Sequence, residues 1–317
     1  MTNNLISILL PVYNGSTYLA DCINSLLNQT LDKYEIIICD DCSTDDSFSI
    51  IQSFALEPKI KIYKNVKNHG LFGNLKIMVG YSSGNIIRLF GQDDIMFPHC
   101  LEYETVFWRK FPQSGYIYCG RDCLNETGDI SKNNKFDDTP QYIPSWLADQ
   151  ITYYWGPLPA NISNASINKD ALEKVGGFDE KMELAGDWDI YTRLQEFYPV
   201  GRNIHILVLV RDHSGPLSKK PGCFLKFFQE QNIILTRLYR RLPNSLKKEA
   251  KKISDYKRSM QIFHHSIRLL ISWKYFQAYQ LILLILENFS LITVILWWLI
   301  SANGRWFKPR PIFKDSF

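Results

Sequence analysis

Two pairs of adjacent carboxylates each stand at the end of an apolar run. Asp40-Asp41 follows Ile36–Cys39, and Asp93-Asp94 follows Ile86–Phe90. Carboxylate oxygen suits Mg2+ or Mn2+. A protein usually supplies only one or two such ligands, while phosphate and water complete the shell. Paired acids at a strand end can therefore hold a cation against a phosphorylated substrate. The same acids also suit turns and helix caps, because Asp bonds nearby backbone N–H groups. The elements that carry them decide between these readings.

Leu5–Leu10 is a nearly continuous apolar run ended by Pro11, the pattern of a parallel strand buried on both faces. Ser16 or Thr17 can cap a following helix with the apolar face Leu19, Ile23, Leu26 and Leu27. Ile36–Cys39, Lys59–Tyr63 and Ile86–Phe90 predict three more strands. Leu71, Leu75 and Met78 have helical spacing, and Pro98 opens a helix through Leu101 and Trp108. This alternation predicts an α/β fold with a doubly wound, mostly parallel sheet. Ligands of such sheets sit beyond the C-terminal strand ends, so both Asp pairs belong on one rim. No GxGxxG follows the first strand and no Walker lysine motif occurs, which argues against the dinucleotide-binding and P-loop classes.

Beyond Tyr116–Cys119 the pattern loosens, and Asn125–Tyr142 reads as loop. Ile162–Ile167 predicts a strand, and Lys169–Val175 a short helix stopped by Gly176-Gly177. Asp187–Tyr198 has helical spacing. Ile204–Val210 is an apolar strand running into Arg211-Asp212-His213.

The 317 residues are 46% apolar with a formal net charge of +4. That excludes global disorder and fits one large α/β domain with an appendage. The seven cysteines match no disulfide or zinc framework, so reduced thiols are expected. No basic leader precedes the first apolar run. A signal peptide is therefore not expected, and the catalytic part is expected in the cytoplasm.

Six segments in order carry a resemblance. They are Ser7–Gly15, Leu26–Thr30, Ile38–Ser47, Asn68-His69-Gly70, Ser83–Ile86 and Gln92-Asp93-Asp94. Together they resemble family 2 glycosyltransferases of the GT-A fold, of the type that builds bacterial surface polysaccharides. Gly176–Glu180 and Gly186–Leu194 look like that family's acceptor-side segments. The resemblance covers about residues 5–215.

It implies roles. Pro11 and Tyr13 would line the nucleoside pocket, with Tyr13 against the base, and Asp41 would bond the base edge. Asp93 would lie near the ribose, and Asp94 would bind Mn2+ or Mg2+. His213 would approach the metal or diphosphate. Asp187 would be the general base of an inverting, single-displacement transfer from a nucleotide-diphosphate sugar, UDP-sugar favoured, to an acceptor hydroxyl. Structural readings stay open beside these. Tyr13 can be core, Asp187 a helix cap, His213 a structural hydrogen-bonding group, and Asp189 and Asp45-Asp46 solvated or capping. The chain departs from the family at Gly186, where many members carry Glu, and at Pro216, where a small polar residue is common. A catalytically inactive sugar-nucleotide-binding protein on the same fold is the alternative. A nucleotidyltransferase would want a Gly-rich basic phosphate loop near the N-terminus, which is absent.

The expected organisation is a catalytic domain over 1–215, with a nucleotide half to about 120 and an acceptor half beyond it. A helical region over 216–317 follows. From Arg237 to Arg258 nine Lys and Arg stand against Glu249 and Asp255, a local net of +7. Leu281–Ile300 is 20 residues interrupted by Glu287, Asn288, Ser290 and Thr293. Basic residues flank it on both sides. These features favour helices lying on or dipping into the cytoplasmic leaflet over a span, with a buried soluble helix as the structural alternative. The expected partners are a nucleotide-sugar donor, a saccharide or lipid-linked saccharide acceptor and the cytoplasmic membrane face, with no nucleic acid.

Overall fold

The computed structural model describes residues 5–132, 139–159, 161–212 and 223–301, the last five without their side chains. It divides into two compact units, Met1–Arg241 and Leu242–Phe317.

The first unit opens with β1 (Ile6–Val12), α1 (Ser16–Leu27), β2 (Tyr34–Asp40), α2 (Ser47–Ser53), β3 (Ile60–Lys64), α3 (Gly70–Tyr81) and β4 (Ile86–Leu89). These are the four expected strands. Every residue of β1, β2 and β4 is buried, as strands made mostly of Ile and Leu favour. The order β3-β2-β1-β4 is parallel throughout.

The chain continues through β5 (Ile95–Met96), α4 (Cys100–Lys110), β6 (Tyr116–Asn125), β7 (Ile130–Ser131) and β8 (Tyr142–Ile143). Then come α5 (Ser145–Trp155), β9 (Ala165–Asn168), α6 (Lys169–Lys174), α7 (Gly186–Gln195), β10 (Val200–Asp212) and α8 (Cys223–Arg241). β9 inserts antiparallel between β4 and β6, and β10 runs parallel to β6. The sheet is thus mixed, with a mostly parallel centre. β1, β2, β4, β6 and β10 end on one rim. β9 begins later than Ile162, because Ile162–Asn164 form a 3-10 turn in which Asn161 Oδ1 accepts the Ser163 N–H at 2.7 Å. The stretch read as loop contains β7, and 133–138 lie outside the described residues.

One charge is built into the core. Arg88 on β4 is fully buried and meets Glu104 at 2.8 Å. It also donates to the carbonyls of Leu89 and Ala165. Removing one partner of such a pair costs about 3–5 kcal/mol, because the other charge is left buried alone.

α8 belongs to the first unit. Arg237 pairs with Asp189 at 2.7 Å and Arg241 with Asp149 at 2.6 Å, both acids being buried. The compact unit therefore runs past 215, where sequence patterning puts the boundary. These ion pairs draw a basic amphipathic helix onto the α/β unit.

The second unit contains α9 (Asn244–Ile271), α10 (Tyr275–Asn288) and α11 (Leu291–Ser301), with α10 and α11 packed on α9. The expected continuous segment Leu281–Ile300 is broken into two helices. Asn288 Nδ2 folds back to the Leu284 carbonyl at 3.0 Å, Phe289 is extended, and the Val294 N–H donates to the Ser290 carbonyl at the start of α11. Among the described residues no helix is long and apolar enough to cross a membrane.

Candidate functional site

The rim beyond β1 and β2 is held by side chains reaching between loops. The Asn14 N–H donates to Ser43 Oγ, and Asn14 Oδ1 accepts the Thr44 N–H. The start of α1 is satisfied from outside the helix, not by Ser16 or Thr17. The Ser16 N–H donates to Asp45 Oδ2 at 3.1 Å, and the Gly15 N–H to Ser47 Oγ at 2.9 Å. Burial acts to raise the Asp45 carboxyl, but hydrogen bonds from Ser47 and Ser16 outweigh it and hold it at about 2. Asp45 is thus a capping acid.

Pro11 is buried at the end of β1, and Tyr13 beyond it is 45% exposed. Tyr13 is therefore not core, and its ring is available for stacking. Gln92 pins the Tyr13 backbone from both sides, accepting its N–H at 2.9 Å and donating to its carbonyl at 3.2 Å. A Cβ at Gly15 would fall 2.3 Å from Gln92 Cδ, so a larger residue there would displace the Gln92 amide from this clasp.

Asp41 is buried to 2%. Its Oδ1 accepts Asn65 Nδ2 at 2.8 Å, and the His69 N–H reaches both of its oxygens. Asn74 extends the network, its Oδ1 accepting Asn65 Nδ2 at 3.1 Å and its Nδ2 donating to the Cys39 carbonyl at 3.0 Å. The Asn65–Asn74 connection is missing from the sequence reading, since neither residue lies in a segment of the resemblance.

The second acid pair lies just beyond β4. Asp94 is buried, and Asp93 is partly exposed. Asp94 Oδ1 accepts the Arg211 N–H at 2.9 Å, and Oδ2 accepts the Ser163 hydroxyl. Burial and then the neighbouring Asp93 push the Asp94 carboxyl up to about 7, against these hydrogen bonds. A Cβ at Gly91 would lie 3.0 Å from Asp94 Oδ2 and 3.1 Å from Asp93 Oδ1. The two carboxylates thus converge over this glycine. Two converging hard oxygen donors, one of them raised by burial and by the other's charge, fit a divalent cation that completes its shell with phosphate and water. Among the described residues no three His, Cys, Asp or Glu side chains cluster as a self-sufficient metal cage.

Arg211 is the residue that motif reading passed over. Its Nε donates to the Asp93 carbonyl at 2.9 Å, and its guanidinium lies 4.1 Å from the Tyr18 ring. It brings the end of β10 onto the acid pair. Its neighbour His213 lies outside the described residues.

Asp187 stands in the first turn of α7. Its Oδ1 accepts the Trp188 N–H at 2.8 Å. Burial raises its carboxyl to about 6, opposed by backbone N–H groups and reinforced by Glu230. Glycine precedes it for a steric reason. A Cβ at Gly186 would fall 2.5 Å from the Phe72 ring, which itself stacks on Phe178. Asp189, read as solvated or capping, is instead 1% exposed and clamped by Arg193 and Arg237. Gly176–Lys181, Lys76 and this clamp line a cavity of about 390 Å3.

Glu230 on α8 was also missed. It is 3% exposed, and its carboxylate accepts the N–H groups of Glu183, Leu184 and Ala185 at 2.8, 3.0 and 2.8 Å. It therefore shapes the loop that delivers Asp187. A lone glutamate in a basic helix is its signal in the sequence. Glu230→Gln would turn an amide donor toward these donors. It is expected to lower stability by about 1–3 kcal/mol. It should also move the acid limb of any Asp187-dependent activity to lower pH, because a charge that raises that carboxyl is gone. Unchanged denaturation and an unmoved pH profile would contradict both.

The glycosyl transferase family 2 model matches residues 7–176, more than half of the chain and all of the rim from Pro11 to Asp94. The chain belongs to glycosyl transferase family 2. A second model, glycosyltransferase like family 2, matches residues 112–266. Chondroitin synthase from Escherichia coli is 29% identical over 197 residues, 62% of this chain and 27% of that protein. Hyaluronan synthase from Pasteurella multocida is 26% identical over 204 residues, 64% of this chain and 19% of its own length. The family 2 chain thus spans about a quarter of the length of such curated relatives. S. aureus TarS 1-349 in complex with UDP-GlcNAc matches with a TM-score of 0.63 at 17% identity, over 78% of this chain and 70% of that one. A mannosyltransferase from Pyrobaculum calidifontis, in complex with GDP-Man and Mn2+, matches with a TM-score of 0.56 at 15% identity, over 94% and 79%. These likenesses establish the GT-A fold of the family 2 chain.

Proposed function

We propose that this family 2 chain transfers a sugar, with inversion, from a nucleotide-diphosphate donor to an acceptor hydroxyl. The observation that carries the reading is the meeting of Tyr13, Asp41, Asp93, Asp94 and Arg211 on one rim of the sheet. Pro11 and the Tyr13 ring form the wall against which the base lies, and Asp41 bonds its edge. Asp93 and Asp94 would hold Mn2+ or Mg2+, with Asp93, the more exposed residue of the two, also near the ribose. Bound there, the ion supplies neutralisation of the leaving diphosphate. Arg211 adds a fixed cation beside it. Asp187 takes the acceptor proton as the acceptor oxygen attacks the anomeric carbon. His213, next along the chain from Arg211 and Asp212, is kept as a further candidate ligand.

A UDP-sugar is the favoured donor, since UDP-GlcNAc is the ligand named for TarS. The names of the chondroitin and hyaluronan synthases support polysaccharide assembly as the setting. A lipid-linked saccharide at the cytoplasmic face of the membrane is the proposed acceptor, with the chain held there peripherally. Incubating the chain with UDP-, GDP- and dTDP-sugars, such an acceptor and Mn2+ tests this. One nucleotide diphosphate should be released for each glycosidic bond formed. Donor binding without transfer would instead favour the inactive binding protein.

A further inference from the structure

The turn between α9 and α10 has an unusual backbone. The Ser272 N–H donates to the Arg268 carbonyl, the Trp273 N–H to Leu270 and the Lys274 N–H to Leu269. This is a tight helix ending of the kind that normally carries glycine in a left-handed conformation. Here Trp273 takes that conformation, with φ 59°. Left-handed backbone is disfavoured for every residue with a Cβ. The turn nevertheless spends it on the largest side chain, which is 79% exposed.

The surroundings of Trp273 are of one kind. Ile271 and Phe276 are each 73% exposed, and Tyr275 stacks edge-on to the indole. The patch continues along α10. Ala278, Leu281 and Ile285 are buried on the side of α10 that packs on α9, while Tyr279, Leu283 and Leu286 are exposed at helical spacing from Phe276. Both faces of α10 are therefore apolar, and one has no cover among the described residues.

Charge selects the occupant. From Tyr256 to Leu286 the sequence contains no Asp or Glu. Exposed Arg268 and Lys274 flank the tip. A second copy of the chain seated on this face by two-fold symmetry would oppose cation to cation. An anionic bilayer instead meets the cations with phosphate and the Trp and Tyr rings with its interfacial layer, where such rings are enriched.

We propose that the α9–α10 turn and the outer face of α10 form a docking surface for an anionic lipid bilayer, with Trp273 and Phe276 seated at headgroup level. This rests on the peripheral membrane location proposed above. The helices lie on the surface, as an amphipathic element with basic flanks does.

The test uses the full chain and co-sedimentation with phosphatidylcholine vesicles, with and without phosphatidylglycerol. Trp273→Gly is the informative variant, because glycine adopts the same backbone without strain. Combined with Phe276→Ser, it should keep the thermal midpoint and sugar-nucleotide binding. Affinity for the anionic vesicles should fall about 10²-fold or more, the scale of two aromatic side chains no longer buried. If the parent chain binds anionic vesicles and the double variant binds them equally, this surface is refuted and the peripheral location stands. If the parent chain binds neither vesicle, both are refuted. Vesicle-independent dimerisation that the double variant abolishes would make the face a self-interface and also overturn the proposal.

Discussion

Asp187→Asn is expected to lower turnover by roughly 10²-fold or more, the usual scale for a lost general base, while donor affinity and folding are retained. Asn is isosteric and can still accept the Trp188 N–H that holds Asp187 in place. The side chain lies at the start of α7 and takes no part in the hydrogen bonds that tie the rim acids together. Donor affinity should therefore not register the change. The parent enzyme carries a second signature. Burial holds the Asp187 carboxyl at about 6, and a base acts only when deprotonated. Turnover should rise with pH through about 6 and level off above it, and the Asn variant should lose that limb. Near-normal turnover in the Asn variant would remove Asp187 from the mechanism.

The acid pair should give the other large effect, and its two members should differ. Asp93→Ala is expected to weaken Mn2+-dependent donor binding about 10²-fold, because metal stabilisation of charge is worth several kcal/mol. Asp94→Ala should do the same and also loosen the site. It leaves the Arg211 N–H without an acceptor and the Ser163 hydroxyl without its partner. A buried donor left unmet costs about 1–3 kcal/mol, so Asp94→Ala should show a lower denaturation midpoint and Asp93→Ala should not. Calorimetric titration of donor with and without Mn2+ checks the first part. Equal affinity in both conditions for the parent chain would sink the metal assignment for the whole pair.

The parts of this molecule legible in its sequence were those with a single local cause. β1, β2 and β4 are buried on both faces, so their runs of Ile and Leu had no other reading. The strand-end acids followed, because a strand that runs into Asp-Asp places them at the rim, where all but Asp93 are then buried by partners from other segments. What was not legible depends on partners distant in the chain. Asp189 resembles any acid in a first helical turn until Arg237, on a helix 48 positions later, closes on it. Glu230 acts on three backbone N–H groups, which leave no trace in residue type. The break at Phe289 also escaped notice. Asn288 and Ser290 are weak stop signals inside an apolar stretch, and hydropathy averages over them. Gly186 looked like a departure from the family pattern, yet the Phe72 ring beside it admits no side chain there.

The insertion of β9 sets an order of assembly. During synthesis β4 emerges early, but its neighbour Ala165–Asn168 emerges only after α5. Until then β4 is an open edge, the kind of surface that recruits other strands and aggregates. The residue at its centre is Arg88, whose acceptor on the Ala165 carbonyl does not yet exist. A charge on an exposed edge strand discourages intermolecular pairing. Glu104 precedes Ala165 in the chain, so the ion pair of Arg88 can form before β9 arrives, and the Ala165 carbonyl then adds its last acceptor.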